Sequence, residues 1–191
     1  NIVRIGFFPG SRTGVVKNHI PVINETVSRL KEKIKNAQYY LFARDEIRDA
    51  YRDVVPDIKV VFNNDSADKS DMDYAVSVSG TIATEMAILG IPTVVFYKVN
   101  RINGFIVKRA IRVKYVSLPN IVLDEEVFPE YLQDMATAEN ISEKIYEYVN
   151  NKTNVGVIKT KLEEFRRKIY QGNTVEIVSG EIHRYLKSKI I

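Results

Sequence analysis

The sequence predicts an α/β fold: a largely parallel β-sheet with helices on both faces, followed by a helical C-terminal tail. Three observations carry this. The runs "IVRIGFF" (2–8), "YYLFA" (39–43), "IKVVF" (58–62), "YAVSVS" (74–79) and "TVVFY" (93–97) have strand length and are rich in β-branched and aromatic residues. Helical patterns or turn clusters separate them, and strands alternating with helices imply right-handed crossovers between parallel neighbours. From about residue 138 the strand signals stop and helical patterns take over.

The first strand ends at "PGSRTG", which has the turn residues expected where a central strand stops. A helix is expected over about 19–35, with His19 at its start, Pro21 in its first turn, and Val22, Ile23, Val27, Leu30 and Ile34 at helical spacing. A polar helix near 45–52 follows the second strand. Ile82, Met86 and Leu89 mark a helix between the strands at 74–79 and 93–97. Three tail helices are expected, at about 138–150, 155–171 and 174–189, the middle one marked by Val157, Leu162, Phe165 and Ile169. The expected division is 1–150 as one α/β unit and 151–191 as C-terminal helices.

A chain of 191 residues can bury a proper core. It has no cysteine, which removes disulfide frameworks and thiolate metal sites and suits a reducing compartment, with the cytoplasm as the expected location. No apolar run approaches the length of a membrane span, and the N-terminus lacks the layout of a signal peptide. The formal charge of +4 suits an anionic ligand or surface and compels neither. Because Asn1 is followed at once by an apolar run, a fragment lacking an upstream part is expected.

In open parallel sheets, ligands bind beyond the carboxyl ends of the strands. "PGSR" lies at one such end: Gly10 and Ser11 offer backbone and hydroxyl donors, and Arg12 a bidentate phosphate ligand. A plain turn with a solvated Arg fits the same residues. "SVSGTIATEMAILGIP" (77–92) lies at another: Ser79, Gly80 and Thr81 at a helix start suit a phosphate, and Glu85 about one turn on suits two vicinal sugar hydroxyls. Its alternative is a first-turn Glu complementing the helix dipole. Tyr97, Lys98 and Asn100 follow the strand at 93–97, where a ring or backbone could meet a base or simply form an exposed loop. "SLPN" (117–120) adds Asn120, whose amide both donates and accepts, or is an ordinary turn.

"RINGFIVKRAIRVK" (101–114) interleaves apolar residues with Arg101, Lys108, Arg109 and Arg112. It reads either as a basic amphipathic helix for an anionic membrane or phosphorylated lipid, or as a helix packed on the sheet with a solvated basic face. "DMD" (71–73) precedes a strand rather than following one and reads as a turn, not a metal site. His19 and His183 are too far apart for a His-pair ligand spacing. No G-x-S-x-G and no G-x-x-x-x-G-K-[ST] occurs, which argues against a serine hydrolase and a P-loop NTPase.

Taken in order, "PGSR", "SVSGTIATEMAILGIPTVVFYKVN" and "KYVSLPNIVLDEEVFPEYLQ" resemble the C-terminal half of the lipid-A-disaccharide synthase family, over about residues 4–135. The resemblance implies a Rossmann-like domain, the C-terminal half of a GT-B glycosyltransferase. It implies an inverting enzyme of lipid A and lipopolysaccharide biosynthesis that moves 2,3-diacylglucosamine from UDP-2,3-diacylglucosamine to 2,3-diacylglucosamine 1-phosphate, with no cofactor, no metal and no nucleic-acid partner. Carried over by position, Gly10, Ser11 and Arg12 fall on the phosphate-side loop, with Arg12 neutralising the leaving UDP. Ser79, Gly80, Thr81 and Glu85 match the diphosphate and ribose motif, with Tyr97 at its edge. Asn120 matches the functional asparagine of "SLPN", and Gln133 the glutamine of the "PE-x-LQ" segment, where Glu130 and Gln133 also admit a structural role. The catalytic base belongs to the upstream half, so the chain is expected to bind the donor without turning over alone.

The resemblance also implies peripheral contact with the inner membrane through the basic stretch. It implies tail helices that pack on the upstream half or exchange within a homodimer. The alternatives are another GT-B UDP-sugar enzyme, of the peptidoglycan N-acetylglucosaminyltransferase or UDP-N-acetylglucosamine 2-epimerase type, or a non-catalytic nucleotide-binding module.

Overall fold

The structure is a computed structural model that describes residues 2–62, 67–98 and 114–170. Its elements are β1 (Val3–Phe8), α1 (Thr13–Lys33), β2 (Ala37–Phe42), β3 (Ile58–Val61), β4 (Tyr74–Ser77), α2 (Thr81–Leu89), β5 (Thr93–Tyr97), α3 (Leu118–Leu123), β6 (Glu130–Leu132), α4 (Ala138–Asn150) and α5 (Lys152–Tyr170). Short 3-10 turns occupy Asp45–Tyr51, Lys69–Asp71 and Gln133–Met135.

The strands form one sheet in the order β3-β2-β1-β4-β5-β6, every neighbouring pair parallel. Side chains alternate across it, as the strand period requires. Ile5 and Phe7 of β1 join the core formed with Val16, Ile20, Ile23 and Leu30 of α1, whereas Phe8 packs with Met72, Ala75, Met86 and Ile91. Helix α1 packs with α4, and α2 with α3 and α5, so that both faces are covered.

Helix α1 begins at Thr13, earlier than the spacing predicts, and runs through Pro21 rather than starting there. The proline forfeits one helix hydrogen bond. Burial of Val16, His19 and Ile20 on its N-terminal side holds the extra turns in place. The polar helix near 45–52 is a 3-10 turn.

Strand β6 carries no alternating apolar pattern; it exists because Glu130, Tyr131 and Leu132 pair with Val95, Phe96 and Tyr97 of a strand already seated in the core. Helix α5 belongs to this same core: Val155, Ile158, Leu162 and Phe165 are buried in it, against α2, α3 and α4. The expected division at 150/151 therefore does not separate two cores among the described residues. Val157, expected to mark the buried stripe, faces solvent, with Val155 and Ile158 taking that part of the face. The expected helix at 174–189 lies outside the described residues.

Candidate functional site

The sheet reverses direction of growth between β1 and β4, and their following connections diverge to helices on opposite faces. Such a reversal leaves a crevice beyond the carboxyl ends of the two strands. A cleft of about 1040 Å³ opens there, lined among others by Gly10, Ser11, Arg12, Ser79, Gly80, Thr81, Glu85 and Tyr97.

On the β1 side, Gly10 has φ +105, a conformation that disfavours any side chain, and it turns the chain directly from the strand into α1. Ser11 and Arg12 are exposed at the mouth of this turn. The Arg12 carbonyl accepts from Val15 and Val16 N–H, both at 3.0 Å, so its backbone starts the helix. Its guanidinium has no carboxylate partner among the described residues and is available to an anion.

On the β4 side, Gly80 caps α2 with φ +124 and ψ −153, a region open essentially to glycine alone. No side chain caps this helix end, which leaves its first N–H groups facing the cleft mouth beside exposed Thr81. Ser79 is less free than the sequence suggests: its hydroxyl donates to the Val116 carbonyl at 2.7 Å, tying the end of β4 to the segment before α3. Glu85 is the fifth residue of α2, beyond the first turn, so complementing the helix dipole is not its role. Both its oxygens accept from Lys69 Nζ, at 2.9 and 3.0 Å.

The far wall is aromatic. Phe8 and Phe42 stack with ring centroids 4.8 Å apart and planes 8° apart, and Phe62 lines the cleft with the Arg48 guanidinium 3.9 Å above its ring. Arg44, Asp68 and Lys69 complete the charged lining. Sequence reasoning missed these three. Arg44 follows β2 as Arg12 follows β1, so the rule that pointed to Arg12 could have found it. Lys69 has no such signal, because only the packing of Met72 under β1 brings its turn to the cleft.

His19 is fully buried within α1 rather than at a helix start. Its Nδ1–H donates to the Pro9 carbonyl at 2.9 Å, and its Nε2 accepts from Lys98 N–H at 3.0 Å. The partners dictate the tautomer, since a carbonyl only accepts and an amide N–H only donates. The ring lies against Phe96 and Tyr97 and so joins the turn after β1 to the end of β5. Burial holds its pKa below the ordinary histidine value, and the Lys98 bond requires an unprotonated Nε2.

Asn120 is not in the cleft. It is fully buried, and its amide is saturated: Oδ1 accepts from Val127 and Phe128 N–H, both at 2.9 Å, while Nδ2 donates to the Phe128 carbonyl at 2.7 Å and Glu130 Oε1 at 2.8 Å. Four bonds are all that an amide side chain of this kind can make. Asn120 is therefore a bracket for the α3–β6 loop, which corrects the expectation of a direct catalytic contact. Glu130 shares this work, accepting also from Val116 N–H, Ser117 N–H and the Ser117 hydroxyl at 2.6–2.9 Å. Gln133 opens a 3-10 turn after β6 with φ +53, apart from the cleft lining. Arg101, Lys108, Arg109, Arg112 and Asn100 lie outside the described residues.

Asp71 and Asp73 of "DMD" serve local structure: Asp71 closes the 3-10 turn, and Asp73 accepts from Arg4 N–H at 2.8 Å. No cluster of His, Asp or Glu suited to a metal ion occurs among the described residues, and none of their helices is long and apolar enough to cross a membrane.

Comparison with known proteins agrees with this architecture. By fold, the chain is similar to spinosyn rhamnosyltransferase SpnG in complex with thymidine diphosphate (TM-score 0.56, 14% identity, 86% of this chain and 41% of that one). It is likewise similar to a putative UDP-N-acetylglucosamine 2-epimerase from Listeria monocytogenes (TM-score 0.54, 11% identity, 83% and 39%). At these identities the likeness is one of fold, a Rossmann-like domain of the GT-B kind. By sequence, it is 33% identical to lipid-A-disaccharide synthase of Geobacter metallireducens over 97% of this chain and 30% identical to that of Coxiella burnetii over 96%. The chain spans about half the length of the curated relatives it matches, 50% in both cases. The family model described as lipid-A-disaccharide synthetase matches residues 2–179, and with these relatives it shows that the chain belongs to that family.

Proposed function

We propose that this chain is the donor-binding half of a glycosyltransferase of lipid A biosynthesis, holding UDP-2,3-diacylglucosamine in the cleft at the β1/β4 reversal. The observation that carries the reading is the convergence in one cleft of two glycine turns, the start of α2, an Arg12 with no carboxylate partner among the described residues, and a Glu85 carboxylate. The N–H groups of α2 and the Arg12 guanidinium suit a diphosphate, and the two oxygens of Glu85 suit the ribose hydroxyls. Tyr97 borders the same space.

In the reaction, O6 of 2,3-diacylglucosamine 1-phosphate attacks C1 of the donor sugar, the bond from C1 to the diphosphate oxygen breaks, and UDP leaves with inversion. The β(1→6) bond forms and the O6 proton passes to a base. Fixed dipoles and Arg12 stabilise negative charge as it builds on the leaving group. The base lies in the other half of the protein's length, so the chain alone binds donor without forming disaccharide. Residues 101–114 contact the acceptor's phosphate or the anionic inner-membrane surface, making the protein peripheral and cytoplasmic, and a homodimer is part of the same reading. Vesicles with anionic lipid test the surface contact, through loss of binding on Arg109→Glu with Arg112→Glu.

Calorimetry with UDP, UDP-N-acetylglucosamine and ATP tests the central claim. UDP binds in preference to ATP, and Arg12→Ala and Glu85→Ala each weaken it about tenfold, the size of one charge-assisted contact. Equal UDP affinity in both variants, or disaccharide formed by the chain alone, overturns the corresponding part.

A further inference from the structure

We propose that Lys69 is a positioning residue for the nucleotide sugar: its ammonium holds the Glu85 carboxylate in the orientation from which both oxygens meet the vicinal ribose hydroxyls. The inference rests on the reading of the cleft as a nucleotide site and adds to it a residue that no strand-end motif marks.

The geometry is a bridge. Nζ lies 2.9 Å from one Glu85 oxygen and 3.0 Å from the other, so the cation sits almost on the carboxylate's axis of symmetry. A carboxylate offers about four acceptor directions, and a bridging ammonium takes one on each oxygen. The remaining pair, one per oxygen, is left for two further donors. Without the bridge, a glutamate with 41% of its side chain exposed would sample several rotamers and lose that freedom only on binding. With it, the ordering is done beforehand, which is how preorganisation raises affinity.

Lys69 is itself well placed to act as an anchor. Its turn is capped by Asp68, whose carboxylate accepts from Ser70 N–H at 2.9 Å, and is closed by Met72 N–H donating to the Lys69 carbonyl at 3.2 Å. Met72 is buried against Phe8, Ala75 and Met86, the last of these the neighbour of Glu85 in α2. One apolar cluster thus fixes the backbones of both ion-pair partners across 16 residues of chain. An ion pair this exposed adds little to stability. Within the cleft its consequence is the direction of a carboxylate.

The test is calorimetry on the 191-residue chain with UDP and 2′-deoxy-UDP, for the wild type, Lys69→Met, Lys69→Arg and Glu85→Ala. The wild type prefers UDP, because the deoxy analogue lacks one hydroxyl for Glu85. Lys69→Met is expected to weaken UDP about 3- to 10-fold while leaving 2′-deoxy-UDP within about twofold, so that the preference collapses. Lys69→Arg, which can still bridge a carboxylate, restores most of it.

If Lys69→Met weakens both ligands equally and the preference survives, Lys69 acts on the diphosphate and the inference is overturned while the Glu85 assignment stands. If Lys69→Met tightens UDP, the cation competes with the sugar, which also overturns it. A wild type without preference for UDP, unmoved by Glu85→Ala, refutes the nucleotide-site reading itself.

Discussion

Asn120→Ala separates two roles that the same residue could play. In the structure its side chain satisfies the buried Phe128 N–H and Phe128 carbonyl, while Val127 N–H keeps a second acceptor in the Glu125 carbonyl at 3.0 Å. Truncation leaves two buried backbone groups without partners, at about 1–3 kcal/mol each, for a total near 4 kcal/mol. That is a large part of the 5–15 kcal/mol typical of a whole domain. Asn120→Asp has nearly the same shape but turns an acceptor toward the Phe128 carbonyl and Glu130 Oε1, and should cost at least as much. Urea unfolding followed by far-UV circular dichroism measures the loss. UDP affinity of the folded protein, measured at low temperature, stays within about twofold of wild type, since no bond of the amide points into the cleft. Stability within about 0.5 kcal/mol of wild type together with a tenfold loss of UDP affinity would falsify the bracket role.

His19 makes stability depend on pH. Its folded pKa lies below the unfolded value, so the unfolded chain binds the extra proton first as pH falls below about 6.5. The contribution is full above that pH and declines below it by up to about 1.4 kcal/mol per pH unit, a slope that His19→Gln should lose and that should appear in the difference between the wild-type and variant unfolding free energies. Gly80→Ala meets no atom within 4 Å, so its cost is the backbone strain alone, about 1–3 kcal/mol in urea; no change would mean that the turn adapts. Phe165→Ala should cost about 3–5 kcal/mol, because its ring is fully buried in the core that α5 shares with α2, α3 and α4; an unchanged midpoint would show that α5 is not seated in this core.

Much of the fold was legible because local pattern and tertiary environment agree. The apolar runs at 2–8, 58–62 and 93–97 became the parallel strands β1, β3 and β5, and α4 occupies the 138–150 expected from its periodicity. The glycine turns at Gly10 and Gly80 were legible for a similar reason, since positive φ leaves few other residues eligible. Where local and global terms conflict, pattern failed. Pro21 argues for a helix start, yet the burial of Val16 and Ile20 outweighs its lost hydrogen bond. Val157 and Ile158 are adjacent apolar residues, and only the packing of α5 against α2 and α3 selects which one faces inward.

By itself, then, the sequence determined the parallel α/β class, the two glycine turns and the residue types at the strand ends, because strand period, turn chemistry and helix starts are short-range properties. Tertiary structure decided what those residues can do. It saturated Asn120 within a loop bracket, tied Ser79 to Val116, buried His19 between two strand ends, and set Lys69 against Glu85. Each of these depends on partners 7 to 79 positions away, and which hydrogen-bonding groups a side chain has left over for a ligand is known only once those partners are in place.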